Sequence, residues 1–282
     1  MDKNNFEPAQ AHWFTVRLSR AATSLPLLFS LFLLSSQLLL CSGAGWGQSA
    51  DVEPISTDRP SVATGTDLVP VHSIQFENGA SWTRDQGTNA ADGPQTEVRF
   101  GLSRRVELQA TLPNLHWSGA SSGFQYDDLS LGTKLKIGGE NRGWPLALVG
   151  SVSLPSGSPE RTSGGVDPTI LMATEHNLPH NLQISGSANL ASLSTNGGAR
   201  VAQSQMALDM DWCARATTCF YAEAAPFVST AQNANGYTLD GGLSLRIAPL
   251  IQLDGSVGTM VVNGDRAFFA TFGYSFRRDP RR

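Results

Sequence analysis

Charge is scarce in this 282-residue chain. Asp, Glu, Lys and Arg make up 16% of it, against about 25% in an average soluble domain. The formal net charge is −4, and no run of lysines and arginines marks the body of the chain, so nothing in it suits a nucleic-acid partner. Cysteine is scarcer still, with three in all, of which Cys41 lies in the N-terminal leader. Cys213 and Cys219 remain, and their short separation, with no histidine nearby, excludes a zinc site. Long apolar runs are also missing. With 40% hydrophobic residues and a mean hydropathy of −0.15, the chain is no bundle of membrane helices. Helical periodicity is not convincing anywhere. There is no phosphate loop and no metal-ligand spacing, so no cofactor and no metal is expected.

What is present begins with a leader. Ser24–Leu40 is apolar, follows Arg17 and Arg20, and precedes small residues. It is shorter than the roughly 20 residues of a spanning helix and reads as a secretory signal peptide. We expect it to occupy 1–44, with cleavage between 44 and 50. Lipidation at Cys41 is disfavoured by the bulk of Leu40. Residues 51–71 are rich in Pro, Asp, Thr and Ser, without a period. They form either a periplasmic lead-in or a plug.

From 72 to 276 the chain repeats one unit, nine to thirteen alternating residues followed by a turn. Alternation of period two is the strand signal. The segments are 72–84, 94–102, 105–117, 126–138, 144–154, 167–178, 181–193, 200–213, 218–230, 236–247, 250–262 and 266–276. In 126–138, Leu129, Leu131, Leu135 and Ile137 share one side, and Ser130, Gly132, Lys134 and Lys136 the other. In 236–247, Tyr237, Leu239, Leu243, Leu245 and Ile247 oppose Asp240, Ser244 and Arg246. The last segment carries Phe268, Ala270, Phe272, Tyr274 and Phe276 on one face and Thr271, Gly273 and Ser275 on the other. An aromatic closing strand after a secretory leader points to a bacterial outer-membrane barrel. The fold expected is all-β, a transmembrane antiparallel up-and-down barrel of about twelve strands. Its apolar face would meet outer-membrane lipid, and its last strand would be read by the barrel-assembly machinery. Links 85–93, 118–125, 155–166, 194–199, 231–235 and 263–265 are mostly the longer ones and are assigned outside. The basic residues 277–282 are expected to form a solvated periplasmic tail.

The same parity gives an interior. Glu77, Glu97, Arg99, Glu107, Gln109, Lys134, Lys136, Glu175, Asp209, Asp211, Glu223, Asp240, Arg246 and Asp254 are assigned to the lumen. Such mixed charges either set solute preference in a water-filled pore or hold a closed interior in shape. Asp58 and Arg59, before Pro60, are plug candidates, Arg59 pairing with lumen carboxylates; the alternative is a lead-in capped by local hydrogen bonds. Cys213 and Cys219 share the lumen parity across a short turn, which suits a disulfide formed in the periplasm. Catalysis is not expected. His116 stands near Ser118, Ser121 and Ser122, but we find no strand with His and Ser two apart on one face beside an acid or amide partner. His116, beside Trp117, reads as an interfacial-belt residue.

Several blocks carry a resemblance. They are Pro54-Ile55-Ser56-Thr57-Asp58-Arg59-Pro60, Phe100-Gly101-Leu102-Ser103-Arg104-Arg105-Val106-Glu107-Leu108, Asp127-Asp128-Leu129-Ser130-Leu131-Gly132-Thr133-Lys134, Ser153-Leu154-Pro155-Ser156-Gly157 and Asp167-Pro168. In this order over 54–276 the chain resembles the outer-membrane family associated with the meta-cleavage pathway of phenol degradation, whose members are labelled transporters. Where that family often has Gly, this chain has Asp127. The resemblance implies a barrel that passes small solutes, among them hydrophobic or aromatic compounds. The alternative is a non-conducting structural or surface-interaction barrel.

Overall fold

The computed structural model describes residues 52–280, except 120–122, 138–143, 196–197 and 232–233. The leader with its cleavage region, Ser121, Ser122, Arg281 and Arg282 lie outside the described residues.

Among the described residues fifteen strands form one sheet. They are β1 (Ile74–Asp85), β2 (Thr88–Asp92), β3 (Glu97–Ser103), β4 (Val106–Thr111), β5 (Leu115–Ser118), β6 (Gln125–Tyr126), β7 (Leu129–Lys136), β8 (Leu146–Leu154), β9 (Asp167–Leu178), β10 (Leu182–Ser194), β11 (Arg200–Arg215), β12 (Thr218–Ser229), β13 (Asn235–Ala248), β14 (Ile251–Val262) and β15 (Asp265–Arg278). Every pairing is antiparallel, and β15 pairs with β1 from Ile74↔Arg278 to Asp85↔Ala267, which closes the sheet. Closure satisfies both edges, the condition for a sheet to cross lipid.

Twelve staves result, because three of them are interrupted. β2 and β3 both pair with β1. They make the second stave; β5 continues β4 along the third, and β6 continues β7 along the fourth. The interruptions fall at 93–96, 112–114 and 127–128. Pro94 and Pro113 have no N–H to give a ladder, and Asp127 and Asp128 turn their side chains to a loop instead. The sequence predicts 105–117 and 126–138 to be continuous, and places 88–92 in a link rather than in a strand.

The link expected at 85–93 is a correction. Gln86 and Gly87 alone make the turn, with φ of 43° and 88°, and β2 begins at Thr88. That left-handed pair is the favoured two-residue hairpin geometry. Asn263 and Gly264, at 50° and 97°, repeat it between β14 and β15. The contrast between long outer and short inner connections is therefore weaker than the sequence implied. β15 also runs on through Arg278, and Arg277 is only 5% exposed, so the basic tail begins later than 277.

Burial is inverted relative to a soluble protein. The largest fully buried side chains include Arg99, Lys134, Gln75, Glu77 and Glu107. Large apolar side chains stand exposed on stave after stave, among them Trp82, Leu131, Met172, Leu208, Leu243 and Phe272. Only a sheet with lipid outside and polar groups inside makes that arrangement favourable. At the seam, Phe76 of β1 stacks on Phe276 of β15 with ring centroids 4.9 Å apart. The protein is a twelve-stave transmembrane barrel whose outer face contacts outer-membrane lipid.

Candidate functional site

The segment before β1 lies inside the barrel. It starts at the rim beside the end of β15, where Arg277 donates to the carbonyls of Glu53 and Pro54 and the Ile55 amide donates to the Pro249 carbonyl. It then turns inward. Gln252 donates to Thr57 Oγ1 at 2.7 Å, and Thr57 Oγ1 donates to the Arg59 carbonyl at 2.8 Å. The segment comes back along the opposite wall, and the His72 and Gly101 backbones meet where it joins β1.

Four barrel carboxylates hold its backbone. Glu77 accepts the amides of Asp58 and Arg59 at 3.1 and 3.2 Å. Glu223 accepts those of Val62 and Ala63 at 2.9 and 2.7 Å. Glu175 accepts Thr66 at 3.0 Å, and Glu107 accepts Val69 at 2.6 Å. Hydrogen bonds to charged acceptors are the stronger class. They give a coil without secondary structure the partners its buried amides need.

The side chains add an ion-pair network on β1, β3, β4 and β7. Arg99 lies 2.7 Å from Glu77, 2.7 Å from Glu107 and 3.3 Å from Asp58. Lys134 Nζ reaches both Asp58 oxygens at 3.0 and 2.9 Å. Arg59 reaches Asp254 at 3.4 Å and Gln95 at 3.3 Å. Asp58 also accepts the Gly65 amide at 3.0 Å, closing the tip of the segment on itself. Burial alone would raise the Asp58 pKa, but the Arg99 and Lys134 charges outweigh it and hold the carboxyl below its ordinary value of 3.8. Lys136 approaches Asp67 at 3.6 Å.

Two inward glycines make room. A Cβ on Gly79 would fall on the Arg59 guanidinium, and one on Gly101 would fall on the carbonyls of Val69 and Pro70. A larger residue at Gly101 would displace the backbone of the segment, and one at Gly79 would move the Arg59 side chain.

The opposite wall is different. Register places Glu175, Ser185, Asp209, Glu223 and Asp240 side by side on β9 to β13. Four carboxylates thus share one level, with Asp211 one inward position along β11. Tyr221 donates to Asp240 at 2.6 Å. Arg246, nearer the rim, donates to the Ala216 carbonyl. Between this wall and the segment lies a cavity of about 420 Å³. At its rim Cys213 and Cys219 form the expected disulfide, on paired residues flanking the β11–β12 turn.

Of the lumen candidates, the structure brings Glu77, Arg99, Glu107, Lys134 and Asp254 into the network with Asp58 and Arg59. Asp209, Asp211, Glu223 and Asp240 gather on the second wall. Glu97 sits opposite Glu77 in register. Sequence reasoning missed Gln75, which donates to the Ser56 carbonyl, as well as Gln252, Gly79 and Gly101. Inward parity was the available signal for each.

His116 requires a correction. It is 5% exposed, not a belt residue, and its Nδ1 lies 2.7 Å from Asp92. Ser118 shares its face of β5, so an acid partner does stand beside a His and Ser two apart. Asp92 also accepts from Asn114 and Ser81, and the group ties the β2–β5 extension to β1. Farther along, Asp128 accepts the amides of Ser156 and Gly157 at 2.9 and 2.7 Å, and Asp127 pairs with Arg161 at 2.8 Å. These contacts pin the 155–166 loop and show why the Asp-Asp and Ser-Leu-Pro-Ser-Gly blocks occur together.

A closed sheet with charge inside and apolar side chains outside defines an outer-membrane β-barrel. Within that class, the chain belongs to the family described as "Putative MetA-pathway of phenol degradation", whose model matches residues 57–277. The match takes in most of the docked segment as well as the sheet. No curated protein matches the chain. Among solved structures it is similar to an outer membrane channel from Pseudomonas putida F1, with 12% identity over 76% of this chain and 98% of that one, at a TM-score of 0.61. It is also similar to the NanC porin, with 9% identity, 71% and 98% coverage and a TM-score of 0.53. The KdgM porin gives 10%, 72%, 98% and 0.51. At these identities the likeness is one of fold.

Proposed function

We propose that the protein is an outer-membrane channel for small solutes whose passage is controlled by the segment docked in its lumen. One observation carries the reading. The segment from Thr57 to Val69 is held by barrel side chains through its backbone amides and through Asp58 and Arg59, yet a cavity remains beside it. A scaffold with no traffic needs no such cavity. The family description supports hydrophobic or aromatic compounds as the solutes, and the porin-like fold supports passage through the barrel rather than chemistry within it. We assign no catalytic role to His116 and Ser118. The outward aromatic row of β15 is the surface we assign to recognition by the barrel-assembly machinery.

A non-conducting structural barrel is the second reading, favoured by the fully buried Arg99 and Lys134, which fill one side of the lumen. Planar-bilayer conductance separates the two. The channel reading predicts small currents from the intact mature chain and larger, steady currents after removal of 52–71. No current from either form, each shown to be folded, would establish the structural reading.

A further inference from the structure

The cavity has two unlike sides. The wall contributes Glu175, Asp209 and Asp211, and the segment contributes apolar Ile55, Pro60 and Ala63 among polar residues such as Thr57 and Ser61. Arg59 lines the cavity and pairs with Asp254 through Nη2, its Nε having no partner among the described residues; Arg99 and Lys134 are engaged with Asp58, and Lys136 with Asp67. Arg246, at the rim, is turned to the Ala216 carbonyl.

Asp209 is the informative residue. It is 3% exposed, it lines the cavity, and its Oδ1 has no hydrogen-bond partner among the described residues. In register it faces Glu223 on one side and Ser185, beyond which stands Glu175, on the other. Like charges in directly opposed positions destabilise a sheet, and a buried carboxylate without a counter-charge is costly. The row must therefore take up protons or receive a cation. Among the described residues no group of three or more His, Cys, Asp or Glu is arranged to chelate a metal ion. A carboxylate face opposite the apolar residues Ile55, Pro60 and Ala63 suits instead a molecule with one charged end and one apolar end.

We propose that this cavity is a binding site for small organic cations, an ammonium group lying against Asp209, Asp211 and Glu175 and an apolar body against Ile55, Pro60 and Ala63. The proposal names a solute class for the channel reading and rests on it, but binding is measured apart from conductance. Pro60 and Ala63 belong to the docked segment, so an occupied site favours the docked state, and the ligand must leave before the segment does.

The test is calorimetric titration of the full mature protein, folded in detergent, with 2-phenylethylammonium, 2-phenylethanol and phenylacetate. These three share a body and differ in the charge of the head. The site predicts that the ammonium binds at least about tenfold more tightly than either other compound. It also predicts that Asp209→Asn and Asp211→Asn each weaken ammonium binding by about tenfold or more. Folding is scored first by heat-modifiable electrophoretic mobility. Glu175→Gln, at a less buried position, supplies the comparison if an Asn variant does not fold. Equal binding of all three compounds, binding of none, or undiminished binding to the folded variants overturns the proposal. Ammonium binding in a barrel that carries no current removes the channel reading and sustains the site. Current without ammonium binding does the reverse.

Discussion

The two walls of the lumen solve the same electrostatic problem in opposite ways. On β1, β3, β4 and β7 the acids of the network have a cation or amides against them: Arg99 serves Glu77, Glu107 and Asp58 together, and Glu97, opposite Glu77, stands outside it. On β9 to β13 the acids outnumber the cations: Glu175 and Glu223 are matched by amides of the docked segment, and Asp240 by the Tyr221 hydroxyl. The paired wall is built to hold something permanently. The acidic wall holds the same segment by its backbone and leaves Asp209 and Asp211 facing open space. Stability and docking should therefore depend on the first wall, and solute preference on the second.

The largest effect is expected at Arg99. Arg99→Ala leaves Glu77, Glu107 and Asp58 without their shared cation, a loss of about 3–5 kcal/mol for a broken buried pair. Heat-modifiable mobility should show a barrel that unfolds at markedly lower temperature, or assembles poorly. A near-normal transition would mean that the network is not what joins this wall.

Next comes Gly101→Val, which places a side chain where the Val69 and Pro70 carbonyls lie. The segment should be displaced while the outer face is untouched. Limited proteolysis should then cut within 57–70 far faster than in the parent protein, with the barrel resistant in both. Equal resistance would count against close packing at Gly101.

Acid should weaken docking on the paired wall. The Asp58 carboxyl is held below 3.8 when docked because Arg99 and Lys134 outweigh the effect of burial. A depressed pKa means that the contribution is fully present above the free value. It is lost as pH falls from about 3.8 through the lowered value. Proteolytic exposure of the segment should rise in that window. In Asp58→Asn exposure should be higher at neutral pH and lose most of this acid dependence.

The smallest stability effect should be at Asp211→Asn on the acidic wall, within about 0.5 kcal/mol of the parent, since no cation loses its partner. A change as large as that at Arg99 would erase the distinction between the walls.

Much of this was legible in the sequence. The alternation in β7 and β13, and the aromatic row of β15, follow from a period of two that a one-residue slip would reverse. The breaks at 93–96, 112–114 and 127–128 were less so. Pro94 and Pro113 mark them, but whether a proline ends a stave or only interrupts it depends on what its neighbours pair with. Asp128 looked like part of a strand because the amides it accepts come from 156 and 157, well along the chain. Asp58 and Arg59 stood out by charge and by the proline after them. Gly79 and Gly101 did not, since a glycine that admits a guanidinium or a backbone reads like any other inward glycine until the neighbour is seen. His116 misled because its partner Asp92 lay in a stretch taken for a loop.

The central claim is that residues 57–69 sit inside the barrel in the membrane. Ala63 packs with Ala207 and Ala225 of the acidic wall, so the double variant Ala63→Cys with Ala225→Cys tests it directly in intact outer membranes under mild oxidation. The account predicts that a disulfide between positions 63 and 225 forms in most of the protein. Failure to form it, together with ready labelling of Cys at 63 by a maleimide added from the periplasmic side, would contradict the account.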